Sequence, residues 1–160
     1  MRVIGCLDII AFARDPMPTH AEIRHLPYSP RQLYDLVADV ERYPEFLPWC
    51  VAARVKTRAP ALLVADLVIG FKMIREKFTS RVVMQDGYRL DITYTEGPFK
   101  YLNNHWIFTP APEGGTLIDF YIDFEFRSRL LQSLIGALFN EAVRAMISAF
   151  EKRAKALYSA

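Results

Sequence analysis

Between residues 51 and 126 apolar and polar side chains alternate, interrupted at short turn signals, and the chain then switches to helical spacing until close to its end. A period of two over that length commits the segment to half-buried antiparallel strands. The period of 3.6 that follows commits residues 129–157 to an amphipathic helix. Leu63, Ala65, Leu67, Ile69 and Phe71 share one face of the first clear strand. Phe78, Val82 and Met84 lie on one side of the next, with Arg75, Lys77, Thr79 and Arg81 opposite. Asp86-Gly87 signals a two-residue hairpin, after which Tyr88, Leu90, Ile92 and Tyr94 alternate with Arg89, Asp91, Thr93 and Thr95. Beyond Gly97-Pro98, Leu102, Asn104, Trp106 and Phe108 share a face; beyond Glu113-Gly114-Gly115, so do Ile118, Phe120, Ile122, Phe124 and Phe126. The helix would span roughly 43 Å at 1.5 Å per residue. Its apolar stripe runs through Leu131, Leu134, Ile135, Leu138, Phe139, Ala142, Met146, Ala149 and Phe150.

Ahead of the meander, residues 19–26 alternate loosely and read as a first strand. Ser29 as N-cap, Pro30 at the first helical position and Gln32 three after the cap then form a capping box, and Leu33, Leu36, Val37 and Val40 follow at helical spacing. Asp39 offers a second cap. A residue before proline is pushed out of helical conformation, so Tyr43 and Leu47 are expected extended or in turns, and residues 43–49 form an aromatic, proline-stiffened loop. Strand, helices, six strands and a long helix make an α+β domain over residues 18–158, its curved sheet wrapped round the last helix because each covers the other's apolar face. Residues 1–17 read differently. Arg2 before the apolar residues 3–12, and the small-residue site Ala11-Phe12-Ala13, have the form of a secretory signal. Asp8 interrupts it, and a disordered leader with Met17 as working start is the preferred reading.

The chain has 160 residues, 52% hydrophobic and 24% charged, enough to bury one core. A net charge of +2 does not suit a dedicated nucleic-acid binder, and no DNA partner is expected. No unbroken apolar run reaches the ~20 residues of a membrane span. Cys6 and Cys50 have neither metal-ligand spacing nor a disulfide framework, which points to a reducing, cytoplasmic setting. His20 and His25 fall on opposite faces of their strand, and His105 turns away from Trp106; neither arrangement holds a metal. No phosphate-binding loop, dinucleotide glycine run or HExxH is present. The inward faces are more informative. They carry Phe71, Phe78, Tyr88, Tyr94, Trp106, Phe120, Phe124 and Phe126 opposite Phe139, Met146 and Phe150, with Glu76, Ser80, Tyr94, Glu96 and Asn104 as scattered polar groups. A solid core is one outcome; an apolar hollow with a few polar groups, the usual form of a small-molecule site, is the other.

Two motifs carry a resemblance. Val37-Ala38-Asp39-Val40-Glu41-Arg42-Tyr43-Pro44-Glu45-Phe46-Leu47-Pro48-Trp49-Cys50 resembles the signature of the coenzyme Q-binding START-domain proteins. Glu96-Gly97-Pro98-Phe99-Lys100-Tyr101-Leu102, followed by Trp106-Ile107-Phe108, resembles their second signature. The resemblance extends to the wider group named after polyketide cyclases, dehydrases and lipid-transfer START domains, and to bacterial ribosome association toxins. It implies a helix-grip (START/Bet v 1-like) fold. It also implies binding of ubiquinone or a related polyprenyl lipid in the cavity, in support of respiratory electron transport, without turnover and with no other cofactor. The expected ligand contacts are Phe46, Trp49, Phe71, Phe78, Tyr94, Leu102, Asn104, Trp106, Phe120, Leu138, Ala142 and Met146, with Tyr94 and Asn104 on the quinone carbonyls. A domain of this length has a radius of gyration of about 15 Å, so a long tail folds back or protrudes. The loop with Tyr43, Phe46 and Trp49 is either the membrane-facing mouth, peripheral to an inner membrane, or a plug over the core. Two alternatives stand beside the carrier. One is a ribosome-binding protein using Arg75, Lys77, Arg81 and Arg89; the other is a cyclase or dehydratase with Glu96 as its acid or base.

Overall fold

Ser29 and Gln32 start the first helix as a reciprocal cap: the Gln32 amide donates to Ser29 Oγ at 3.1 Å and the Ser29 amide to Gln32 Oε1 at 3.0 Å. The computed structural model describes residues 19–71 and 74–159, with the Phe71 side chain excepted; the leader expected over residues 1–17 and Cys6 lie outside them. Strand β1 (Thr19–Leu26) leads to α1 (Pro30–Ala38), a 3₁₀ turn (Val40–Arg42) and the short α2 (Tyr43–Phe46). Six strands follow: β2 (Cys50–Ala59), β3 (Leu62–Phe71), β4 (Ile74–Gln85), β5 (Arg89–Glu96), β6 (Phe99–Pro110) and β7 (Thr116–Phe126). The long α3 (Arg129–Tyr158) begins at Ser128, whose Oγ accepts from the Leu131 amide at 3.3 Å. All strands join one antiparallel sheet in the order β1-β7-β6-β5-β4-β3-β2, a meander closed by β1 on the outer side of β7. The curved sheet around α3 is the helix-grip fold that the sequence implies.

Alternation places the core. Leu63 and Ala65 of β3, Phe78 and Val82 of β4, Leu90 of β5 and Phe108 of β6 are buried on the concave face. Leu33, Leu36 and Val37 of α1 close one end, with Tyr34 edge-on to Phe108 at 6.0 Å. The outer edge strand β2 has two register irregularities and exposes Arg54, Lys56 and Arg58, devices that discourage another strand from adding there.

Four local expectations need correcting. Tyr43 is helical (φ −54°, ψ −40°) although Pro44 follows, because its hydroxyl donates to the Val37 carbonyl and its ring packs edge-on against Phe46 and Phe150. Packing there outweighs the steric bias of the pre-proline position. Leu47, before Pro48, is extended as expected, while Asp39 makes no side-chain cap. The β4–β5 turn spans three residues rather than two: Gln85 pairs with Arg89, Gly87 takes φ +71°, and Tyr88 is left 48% exposed instead of facing inward. The buried line of α3 is Phe139, Val143, Ile147, Phe150 and Ala154, whereas Leu134, expected inside, is 42% exposed. Finally, α3 is long and apolar enough by length and mean hydropathy to cross a membrane, though unbroken apolar runs do not reveal it. Its buried line, from Phe139 to Ala154, packs against the sheet.

Candidate functional site

Between the concave face of the sheet and α3 lies an apolar cavity of about 300 Å³. Strand parity builds most of its wall: Phe78 projects into it from β4, and Leu102, Asn104 and Trp106 project from alternate positions of β6. Leu138, Ala142 and Met146, spaced four apart, supply the α3 side, and Trp49 closes it from the turn before β2. These eight expected contacts stand together. Three others do not. Phe46 packs on Phe150 at 5.3 Å beneath the Arg153 guanidinium, away from the hollow. Phe120 lies against Trp106 at 4.6 Å and faces a separate small recess between β1, β7 and the last turns of α3. Tyr94 lies outside the wall because its hydroxyl donates to the Gly97 carbonyl at 2.7 Å and its ring packs on Phe99. Phe71 ends β3, and its side chain is outside the described residues.

The wall also holds residues that were not singled out. Leu67, Leu90, Ile92 and Phe99 follow from the same alternation and were legible in principle. Tyr43, expected at the mouth or plug rather than among the ligand contacts, and Cys50 are aimed into the wall by the 3₁₀ turn and α2, which have no periodic signature.

Among the described residues, none that lines the cavity is a carboxylate, a histidine, a lysine or an arginine. Asn104 is the best-placed polar group. Its Nδ2 donates to the Tyr121 carbonyl at 2.7 Å and its Oδ1 accepts from Trp106 Nε1 at 3.2 Å. An amide has two N–H donors and two lone pairs, so one of each is left for a ligand. Ser80 is buried with its hydroxyl 3.4 Å from the Ala65 carbonyl. Burial pushes the Tyr43 phenol far above its ordinary range and the Cys50 thiol up to about 11. A protonated thiol in apolar surroundings is a poor nucleophile. The described residues contain no cluster of three metal-ligating side chains.

Glu96, the candidate acid or base, does not face the hollow. A register shift pairs Glu96 with Thr79 but Tyr94 with Ser80, leaving Thr95 as the extra residue of a bulge. The bulge turns Glu96 to the convex side, into a recess with Lys56, Asp66, Lys77 and Thr79. Asp66 is held below the usual carboxylate range chiefly by the Thr79 hydroxyl at 2.6 Å, helped by Lys77 and Lys56. Around this recess Arg54, Arg75 and Arg81 are exposed on β2 and β4. No ion pair among the described residues engages those three. Arg89, expected with them, is instead spent on Asp91 through two bonds of 2.7 and 2.9 Å.

The proline-rich segment is packed down on α3 and lines one end of the cavity with Tyr43, Leu47 and Trp49. Tyr43 and Phe46 pack on Phe150, and Glu45 pairs with Arg153 at 2.8 Å, which fixes that end of the domain to α3. Opposite, the first turns of α3 are thin cover: Ile135 and Leu138 look into the cavity while Leu130 and Leu134 look out.

Comparison with known proteins agrees with this architecture. A family model described as "Polyketide cyclase / dehydrase and lipid transport" matches residues 26–151. The ribosome association toxin RatA of Rickettsia prowazekii is 45% identical over 134 residues, covering 81% of this chain and 91% of that protein. The mitochondrial coenzyme Q-binding protein COQ10 homolog B of Xenopus laevis is 33% identical over 143 residues, covering 87% of this chain and 59% of that protein. The solution structure of an 18 kDa protein from Caulobacter crescentus superposes with a TM-score of 0.73 at 37% identity, covering 89% of this chain and 99% of that one.

Proposed function

The chain belongs to the polyketide cyclase, dehydrase and lipid transport family, and we propose that within it this protein binds an uncharged polyprenyl lipid of the ubiquinone type as a carrier, without turnover. One observation carries the reading: a cavity of about 300 Å³ whose described lining has no charged side chain but does have an amide with unspent hydrogen-bonding capacity. Burial of apolar surface is worth ~25 cal/mol per Å², so an isoprenoid tail needs only a greasy wall. Asn104 would supply one directional bond, to a quinone carbonyl. The coenzyme Q-binding relative supports the same ligand class. The absence of a turnover step rests on Glu96, which the Thr95 bulge places outside the hollow. Such a carrier would work in the cytoplasm, at the inner face of a quinone-containing membrane. Organic extraction of the purified protein followed by mass spectrometry tests the idea: a stoichiometric quinone is expected, falling at least ~10-fold in Leu138→Asp, which puts a charge against the tail. Recovery of no isoprenoid lipid at all would remove this reading.

A second reading is favoured by a separate observation. The relatives called ribosome association toxins are the more similar ones, and the convex β2–β4 face presents Arg54, Arg75 and Arg81 without acidic partners among the described residues. Such a face suits the phosphates of structured RNA. Cavity and convex face lie on opposite sides of one sheet, so the two functions do not compete for residues.

A further inference from the structure

The two halves of α3 are held very differently. Its last turns are tied down: Glu151 accepts from Arg24 of β1, Arg153 pairs with Glu45, and the Tyr158 hydroxyl donates to the Gln32 carbonyl at 2.9 Å. Near its start, Gln132 accepts from the Phe126 amide at 2.8 Å, and among the described residues no side-chain hydrogen bond or ion pair then involves residues 133–149. The first turns are also apolar on both sides. Ile135 and Leu138 line the cavity, while Leu130 is 70% exposed and Leu134 42%. At 100° per residue Leu130, Leu134 and Ala137 share one outward stripe, which ends where Glu141 comes round.

The charges beside that stripe are uncompensated. The first turn of α3 has no acidic residue, although its amide end favours one. Arg127 and Arg129 stand there instead. Arg127 donates to neutral partners, the Phe99 carbonyl at 2.9 Å and the Tyr94 hydroxyl at 3.4 Å, and Arg129 is exposed with no partner in the described structure. Two cations at the positive end of a helix are unfavourable within the fold. An external anionic layer would reverse that.

We infer that the N-terminal half of α3 docks on an anionic bilayer, Leu130 and Leu134 entering the headgroup–acyl boundary and Arg127 and Arg129 meeting lipid phosphates, so that the thin helical cover of the cavity faces the membrane. The inference deepens the carrier reading and rests on it for its purpose: the same few turns separate the hollow from the lipid. An outward stripe that ends at Glu141 is too short for insertion across the bilayer and suits a helix lying in its interface.

Flotation of the full chain with vesicles of phosphatidylcholine and 30 mol% phosphatidylglycerol, read together with hydrogen exchange, tests it (a vesicle composition chosen for the experiment, ~30% anionic lipid). The wild type is expected to float, with amides of residues 129–141 slowed on vesicles and those of 143–158 unchanged. Leu130→Ser/Leu134→Ser should lower partitioning at least ~10-fold. Arg129→Gln should lower it about fivefold at low salt, and not on pure phosphatidylcholine. All three side chains are exposed, so circular dichroism should report an intact fold. Failure of the wild type to bind, unchanged binding by the double leucine variant, or loss of binding in Arg75→Gln/Arg81→Gln instead would each overturn the inference. Extraction keeps the two claims apart: quinone recovered from a protein that ignores vesicles leaves the carrier reading and removes the docking surface. Docking by a protein that yields no lipid does the reverse.

Discussion

Asn104 couples two neighbours to the cavity, since it donates to the Tyr121 carbonyl, accepts from the Trp106 indole N–H and keeps one donor and one lone pair for the hollow. Asn104→Leu should therefore lower affinity for a quinone about tenfold, the worth of one ~1.4 kcal/mol hydrogen bond, while leaving affinity for an isoprenoid hydrocarbon within about twofold. Competitive displacement of a fluorescent lipid, run with both ligands, separates those outcomes. Cys50 gives a second residue-scale expectation. Its thiol is pushed from 9.0 up to about 11 by burial, so the folded state holds that proton more tightly than the unfolded chain does. The resulting stabilisation is complete below about pH 9 and is lost as pH rises through the folded value. Denaturant midpoints should fall between pH 9 and 11, and fall less steeply in Cys50→Ala. Peptide mapping after iodoacetamide treatment at pH 8 should show Cys50 reacting more slowly than a free thiol, and more slowly still once lipid fills the cavity.

Gly97 shows how one element fixes another. It joins β5 to β6 with φ +137°, and a Cβ there would lie 2.6 Å from Phe78 Cβ and 2.9 Å from the Lys77 carbonyl oxygen. Gly97→Ala should cost at least ~2 kcal/mol, through strain and steric conflict together, seen as a lowered Tm. The same turn marks where sequence pattern loses its grip. Alternation reads the strands and most of the cavity wall correctly, because in a half-buried strand parity is burial: Leu102, Asn104 and Trp106 needed no further information. Thr95 breaks that logic without any signal of composition, and Glu96 changes sides as a result. Tyr43 shows the converse failure, a local steric rule overridden by tertiary packing against Phe150. The helix stripe was legible as a stripe. Its rotation toward Val143 and Ile147 depends on what covers it, and that is a property of the sheet.

At the scale of the molecule the convex surface is divided. On the β6–β7 side acids have polar partners: Lys100 pairs with Glu125 at 2.9 Å and the His105 ring lies 3.2 Å from Asp119. On the β2–β4 side Lys56 and Lys77 share Asp66, but among the described residues Arg54, Arg75 and Arg81 have no such partners. If that side binds ribosomal RNA, replacing the three by Gln should weaken co-sedimentation with ribosomal subunits ~10-fold or more and flatten its dependence on salt by about three counterions, with quinone content unchanged. Unaltered co-sedimentation would dissociate the toxin-like reading from this face.

Pairing of the first strand with the last has a bearing on biosynthesis. Thr19 opposes Asp123, a separation of 104 residues, and the roof of the hollow comes later still. A nascent chain that has not reached Thr116 lacks both the neighbour that β1 requires and the helix that shuts the compartment. Such distant closure is slow relative to local folding. A ligand of the proposed kind would therefore be enclosed only once β7 and α3 have joined the fold, so loading would follow folding of the whole domain rather than accompany it.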